Sequence, residues 1–348
     1  MSSLALLLGL LLFSFIITSI LIVPFINLLY TLKFQRADQK TKDVFGKLTP
    51  IFDKFHRAKA GKPVGGGLLV IVVVSLLFAI VFPLLKLLGI EITSLHANLQ
   101  ANVNILFFTF LSFGILGLYD DVKKFFHFEG ERFFGLRMRH KFVLQIFLAG
   151  IIAMMLYQNL GIDFIHIPFI ATSFHLGWVY VPFATFVIVA FANAVNITDG
   201  LDGLAAGILM ISLFGLWFLS AAILDIPISI FIALWIGSLI SFLYFNVFPA
   251  RMFMGDVGAL AFGATLAVVG LLLGKILALV IIGAIFVFEI SSSFIQLLSK
   301  KIWKKKIFLA APFHLTLQQK GWEEPKIVQR LWLVQIILML FGVWLAVI

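Results

Sequence analysis

The sequence predicts an all-α polytopic membrane protein, about ten transmembrane helices with basic cytoplasmic loops and both termini outside. Three observations carry that prediction. Of 348 residues, 62% are hydrophobic and only 12% charged, where a soluble domain has about a quarter charged. Apolar stretches of the roughly 20 residues needed to cross a bilayer recur along the whole chain. The basic residues are confined to alternate loops. Together they exclude a water-soluble enzyme, a disordered chain and a small secreted scaffold. With no cysteine, disulfides, thiolate chemistry and Cys-ligated metals are excluded too.

The apolar spans run roughly over 4–30, 65–89, 102–119, 142–158, 176–195, 203–222, 227–246, 257–274, 276–298 and 329–348. The first has no basic n-region and no small-residue cleavage site, and it is too long for a signal-peptide core. It is therefore expected to be retained. The stretch from 257 to 298 is nearly continuous, and Gly274-Lys275 is the point at which it divides. No internal repeat or low-complexity linker interrupts the chain, so residues 1–348 read as a single integral membrane domain.

Orientation follows from the cations. Loop 31–64 carries nine basic residues, loop 120–141 six, the turn near 247–256 Arg251, and segment 299–330 eight. That is 24 of 26, leaving only Lys86 and Lys275 for the opposite face. Basic loops stay in the cytoplasm. An error of one span would scatter these charges over both faces, so the span count and the segregation support each other. The net charge of +10 is therefore a topology signal, with attraction to anionic lipid as a second cause. It does not indicate a nucleic-acid partner.

Acids at span ends need a reason, because a lone carboxylate in hydrocarbon costs several kcal/mol (about 2.5–3.5 on insertion scales). Asp120 and Asp121 follow Gly117-Leu-Tyr; Asp199 and Asp202 lie in Asn193-Ala-Val-Asn-Ile-Thr-Asp-Gly-Leu-Asp-Gly-Leu204; Asp256 lies in Phe253-Met-Gly-Asp-Val-Gly258. All fall on the face that the lysines and arginines define. Each motif alone reads equally as a solvated helix end or a plain turn. Their common placement favours carboxylates gathered around a cation. Oxygen donors without Cys or paired His suit Mg²⁺ or Mn²⁺. The glycines at 200, 203, 255 and 258 allow close backbone approach and helix N-termini that face an anion. Lys124 and Lys141 add positive charge for phosphate groups. Glu289, beside Ser291, Ser292 and Ser293, reads equally as a polar packing residue or a functional one.

These motifs resemble the polyprenyl-phosphate N-acetylhexosamine-1-phosphate transferases, and within them the peptidoglycan branch. The resemblance runs from about His56 to Trp332. It is carried by His56-Arg-Ala-Lys-Ala-Gly-Lys-Pro-Val-Gly-Gly-Gly67, Asp120-Asp121 with Lys124, Lys141, the 193–204 motif, and Asn246 with Phe253-Met-Gly-Asp256. Glu289 through Gln296, Ala311-Pro-Phe-His314 and Lys320-Gly-Trp-Glu-Glu-Pro325 complete it. The last of these favours the peptidoglycan branch. The chain departs from the family pattern in two places. Of three consecutive histidines only His314 remains, followed by Leu315 and Thr316, with Gln318 where a Glu is expected. Lys62 and Val64 replace two threonines of the glycine-rich loop.

The resemblance implies a bacterial inner-membrane enzyme whose active site faces the cytoplasm. Its partners would be undecaprenyl phosphate, a UDP-sugar donor and membrane lipids, with Mg²⁺ as cofactor and no nucleic acid; a homodimer is compatible with it. The donor it implies is UDP-MurNAc-pentapeptide, giving lipid I and UMP. It makes Asp256 the first Mg²⁺ ligand, with Asp120 and Asp121 near the metal and the lipid phosphate, and Asp120 able to accept a proton from that phosphate. Lys124 and Lys141 would bind phosphate oxygens. Asn193, Asn196, Asp199, Asp202, Asn246, Phe253 and Gln296 would line the nucleotide pocket, Phe253 by stacking on uracil. His314 would contact pyrophosphate or sugar. Two alternatives remain: the same chemistry with UDP-GlcNAc as donor, or a transporter with an acidic ion site. A transport path should carry polar groups at the midplane and on both faces, whereas these acids gather at one face.

Overall fold

A computed structural model describes residues 3–35, 61–90, 92–125, 138–169 and 173–348. Most of the first basic loop, including His56, and Arg132 and Arg137 of the second lie outside the described residues. Those described form twelve α-helices: α1 (Ser3–Thr31), α2 (Gly66–Leu87), α3 (Leu99–Phe125), α4 (Met138–Leu160), α5 (Tyr180–Thr198), α6 (Leu204–Ala222), α7 (Ile226–Asn246), α8 (Gly255–Leu272), α9 (Ile276–Ile282), α10 (Ala284–Ile302), α11 (Phe313–Gln319) and α12 (Glu324–Val347). A two-residue antiparallel pair, β1 (Phe164–Ile165) and β2 (Phe174–His175), joins α4 to α5.

Nine of these helices are long and apolar enough to cross a bilayer singly. The tenth expected span is broken: α9 and α10 meet at Gly283 with a bend of 81°. The division at Gly274-Lys275 falls where α8 ends and α9 begins. Breaking a helix inside a membrane strands backbone groups that water cannot reach. Here Gln335 of α12 supplies them. Its amide nitrogen donates to the Ile282 carbonyl, and its oxygen accepts from the Ile285 N–H at 3.4 Å. Ser212 of α6 donates a second bond to Ile282, at 2.9 Å.

The core is built around α8, whose apolar stretch is entirely buried, while α1, α4 and α12 present most of theirs outward. Lipid tails are as apolar as leucine, so the exposed faces of those three helices are at home. Helix α8 packs between α3 and α5. Small residues let the backbones close in, as membrane helices require; a Cβ added at Gly263 would lie 2.3 Å from the Phe191 carbonyl oxygen on α5. Aromatic rings fill the space between α2, α3, α7 and α8. Phe110 sits at the centre, 5.3 Å from Phe231, 5.4 Å from Trp235 and 5.8 Å from Phe262.

At the end of the bundle where α6 passes into α7, Asp225 caps α7. Its carboxylate accepts from the Ile228 and Leu95 N–H groups (3.0 and 2.9 Å) and from the Ser94 hydroxyl (2.8 Å). This carboxylate is wholly buried and wholly supplied by neutral donors.

Candidate active site

The opposite end of the bundle holds the acids the sequence singles out. Asp120, Asp121 and Lys124 lie in the last turns of α3, Lys141 in the first turn of α4 and Asp256 in the first turn of α8. The Lys124 ammonium is 2.8 Å from Asp256, 3.0 Å from Asp120 and 3.8 Å from Asp121. Lys141 donates to Asp120 at 2.9 Å and also contacts Asp256. Three carboxylates and two ammonium groups thus form one knot with a formal charge of −1. Asp120 and Asp121 are buried, and Asp256 is only partly exposed.

The local sequence explains the convergence. Gly117, one turn before Asp121, lies against the start of α8; a Cβ there would be 2.2 Å from the Asp256 carbonyl oxygen. No residue with a side chain lets α3 and α8 approach so closely. Gly255 has φ of +78°, a conformation glycine adopts without strain, and it turns the chain into α8. The first amides of α8 need an acceptor, and Asp121 provides it, accepting from the Val257 N–H at 3.0 Å. The anion at this helix N-terminus is therefore a side chain of the protein itself. Asp121 fixes the start of α8 and with it the position of Asp256.

The glycine-rich loop acts as a second brace. Gly65 and Gly66 donate to the Phe253 carbonyl at 3.1 and 2.8 Å, and Gly67 donates to Met254 at 2.9 Å. Phe253 itself is half-buried. Lys62, which replaces a family threonine, lies over its ring at 5.9 Å.

Other residues expected to bind substrate hold helices and loops together at this end. Asn193 of α5 donates to Gln145 of α4 at 2.7 Å. Gln145 lies one turn from Lys141 and so on the same face of α4. It belongs to none of the motifs, although a buried glutamine inside an apolar span was the available signal. Asn196 is half-buried on α5, and Asp199 is the residue that ends that helix. Asp202 accepts from the Ala250 N–H at 2.9 Å, and its own N–H donates to Glu324 at 2.6 Å, tying two loops to the start of α12. Asn246 donates to the Met252 carbonyl at 2.9 Å and closes the turn before Phe253. Gln296 gives both ends of its amide to the backbone of Ile307 and Phe308, so it shapes the loop before α11.

His314 is fully buried at the start of α11. The Glu289 carboxylate, also buried, accepts from the His314 backbone N–H and contacts its Nδ1, both at 3.1 Å. Among the described residues the ring's Nε2 has no hydrogen-bond partner, and it faces Gly200, where an added Cβ would lie 2.5 Å away. Glu289 therefore holds the one remaining histidine in place. The two positions after it carry no imidazole. Leu315 is buried, and the Thr316 hydroxyl donates to the Ala310 carbonyl.

Among the described residues, no three His, Cys, Asp or Glu side chains surround a common point as an ion would require. In the knot the two ammonium groups sit among the carboxylates instead. The donor chemistry still fits a hard cation, since the knot offers only carboxylate oxygen and Mg²⁺ commonly takes one or two protein carboxylates, filling its other positions with water and phosphate.

Comparison with known proteins defines the class first. The family model described as glycosyl transferase family 4 matches residues 103–274, a stretch that holds Asp120, Lys141 and Asp256. Proteins named phospho-N-acetylmuramoyl-pentapeptide-transferase then match over nearly the whole chain. The one from Clostridium perfringens (strain SM101 / Type A) is 37% identical over 90% of this chain and 89% of its own length. That from Aquifex aeolicus (strain VF5) is 35% identical over 94% and 91%, and that from Geobacillus thermodenitrificans (strain NG80-2) is 34% identical over 96% of each. The chain belongs to the phospho-N-acetylmuramoyl-pentapeptide transferase family.

Proposed function

We propose that this protein transfers phospho-MurNAc-pentapeptide from UDP-MurNAc-pentapeptide to undecaprenyl phosphate in the presence of Mg²⁺, forming lipid I and releasing UMP. The carrying observation is the knot in which Asp120, Asp121 and Asp256 meet Lys124 and Lys141 at one end of the bundle. Its relatives' names supply the donor's sugar and peptide. The basic loops supply the side: this end faces the cytoplasm.

The chemistry asks for little base assistance. A phosphate monoester with a second pKa of about 6 is largely ionised at neutral pH, so the lipid phosphate arrives as a nucleophile. The barrier is the approach of two polyanions. Lys124, paired with three carboxylates, and Lys141, paired with two, can pass from carboxylate to phosphate oxygen without leaving the site. They bind the lipid phosphate and the diphosphate together, and so align the attacking oxygen with the β-phosphorus. The oxygen–phosphorus bond to the lipid forms as the bond to UMP breaks, and UMP leaves with the displaced electron pair. Asp120 accepts the proton of any lipid phosphate that arrives protonated. Asp256 and Asp120 are the residues that would hold Mg²⁺, while Asp121, committed to α8, positions them. A bound Mg²⁺ would neutralise charge that accumulates on the departing phosphate. Phe253 would take uracil by stacking and Asp199 by hydrogen bonding.

The test is UMP release by the purified chain with undecaprenyl phosphate and Mg²⁺, offering UDP-MurNAc-pentapeptide and UDP-GlcNAc in separate reactions. Release from the first alone, abolished by EDTA and restored by Mg²⁺, is the expected result. Turnover of UDP-GlcNAc alone would transfer the assignment to that donor. Unchanged turnover in EDTA would remove the metal.

A further inference from the structure

Helix α10 is amphipathic in the reverse of the usual sense. Glu289, Ser292, Gln296 and Ser299 are buried and recur at three- and four-residue intervals, so they form one stripe against the protein. Phe288, Phe294, Ile295, Leu298 and Ile302 are exposed on the other side. The helix turns by 81° from α9 and packs against α5, which leaves that apolar stripe exposed for lipid to cover.

The helix ends in a basic, apolar segment, Lys300-Lys301-Ile302-Trp303-Lys304-Lys305-Lys306-Ile307-Phe308-Leu309. Lys301, Lys304, Lys305 and Lys306 are exposed, as are Trp303, Ile307 and Leu309. None of the five lysines forms an ion pair among the described residues, in contrast to Lys124 and Lys141. The segment is nonetheless anchored. Ser299 donates to the Lys305 carbonyl at 2.6 Å, and Gln296 binds the backbone of Ile307 and Phe308. Five uncompensated cations thus stand on a fixed platform beside aromatic and aliphatic side chains.

We propose that residues 300–309 are a docking surface for the headgroups of anionic phospholipids in the leaflet at the catalytic end. Two features select that partner. Clustered lysines beside a membrane helix attract anionic headgroups, and interleaved Trp303, Ile307 and Leu309 match the boundary between headgroup and acyl chain. The apolar stripe of α10 supplies the matching depth. A soluble acidic partner would bring carboxylates but would leave those exposed side chains in water. The surface holds lipid beside the loop that Gln296 shapes and that leads to His314, so the composition of the leaflet acts on the approach to the site.

The absence of cysteine allows a clean measurement. A bimane label on Ile307→Cys in the full chain, reconstituted in bilayers of neutral phosphatidylcholine, is quenched by a small fraction of brominated lipid. Brominated phosphatidylglycerol should quench about twice as strongly as brominated phosphatidylcholine at low salt. The preference should vanish in 1 M salt, where charge interactions are screened within ~3 Å. Changing the five lysines to glutamine should abolish it, and changing them to arginine should preserve it. Equal quenching by the two lipids in the labelled, otherwise native chain overturns the proposal, whatever the variants do. A preference that survives high salt or the glutamine substitutions overturns it as well.

Discussion

Two buried acidic sites lie at opposite ends of this bundle, and they are satisfied in opposite ways. Asp225 draws on two backbone amides and a serine hydroxyl, all neutral and all fixed by the fold. Asp120 and Asp256 draw on two lysine ammonium groups at the ends of long side chains. Neutral fixed donors cannot be exchanged without unfolding α7, so the Asp225 site is structural. Ammonium groups can rotate from one oxygen to another, which is what the proposed exchange of carboxylate for phosphate at Asp120 and Asp256 requires. Burial alone does not distinguish a structural carboxylate from a chemical one. The mobility of the partner does.

That contrast is most exposed to failure at Asp256. Asp256→Asn should lower UMP release by about a thousandfold, the scale of losing a principal electrostatic group at a reacting phosphate, while thermal unfolding in detergent stays near native. A rate within tenfold of native would break the contrast. Lys141→Met should lower the rate by about a hundredfold and raise KM for the lipid phosphate; steady-state kinetics over a range of acceptor concentrations reads both, and an unchanged KM would deny Lys141 its phosphate role. Asp225→Ala removes an acceptor of three bonds and should cost about 2 kcal/mol of stability, seen as a lower Tm, with activity per folded molecule retained. Lost activity at native Tm would mean the two ends are not separate. The smallest effect is expected from Gln335→Leu, which leaves the Ile285 amide unsupplied at the break between α9 and α10. It should destabilise by about 1 kcal/mol, and faster hydrogen exchange at Ile285 would locate the loss.

The membrane architecture is largely readable from composition, because hydropathy is an average over about 20 residues and survives local error. The knot is readable for a related reason: acids are costly in this setting, and the motifs that hold Asp120, Asp121 and Asp256 share one face. Single polar residues in apolar spans escape that averaging. Gln335 disappears into the last span, although it is what makes a broken helix possible. Asp225 sits between two spans and looks like turn composition, although it caps α7. The division of labour between Asp120 and Asp121 is also invisible in sequence. Adjacent residues on a helix point about 100° apart, and only the position of α8 decides that Asp121 meets its amides. Gln296 and Asp202 carry the family pattern, yet the bonds they make are to backbone more than ten residues away in sequence, a relation no local pattern encodes.

Gly117 has neither charge nor hydrogen-bonding side chain, yet two helices rest against the place where its side chain is missing. Adding a single methyl group there would wedge α3 from α8 and separate the carboxylates on either side, with every ionisable residue left intact. The tolerance of this enzyme to change is therefore narrowest at an atom it does not have. A search for inactivating substitutions should find that silent position alongside the acids.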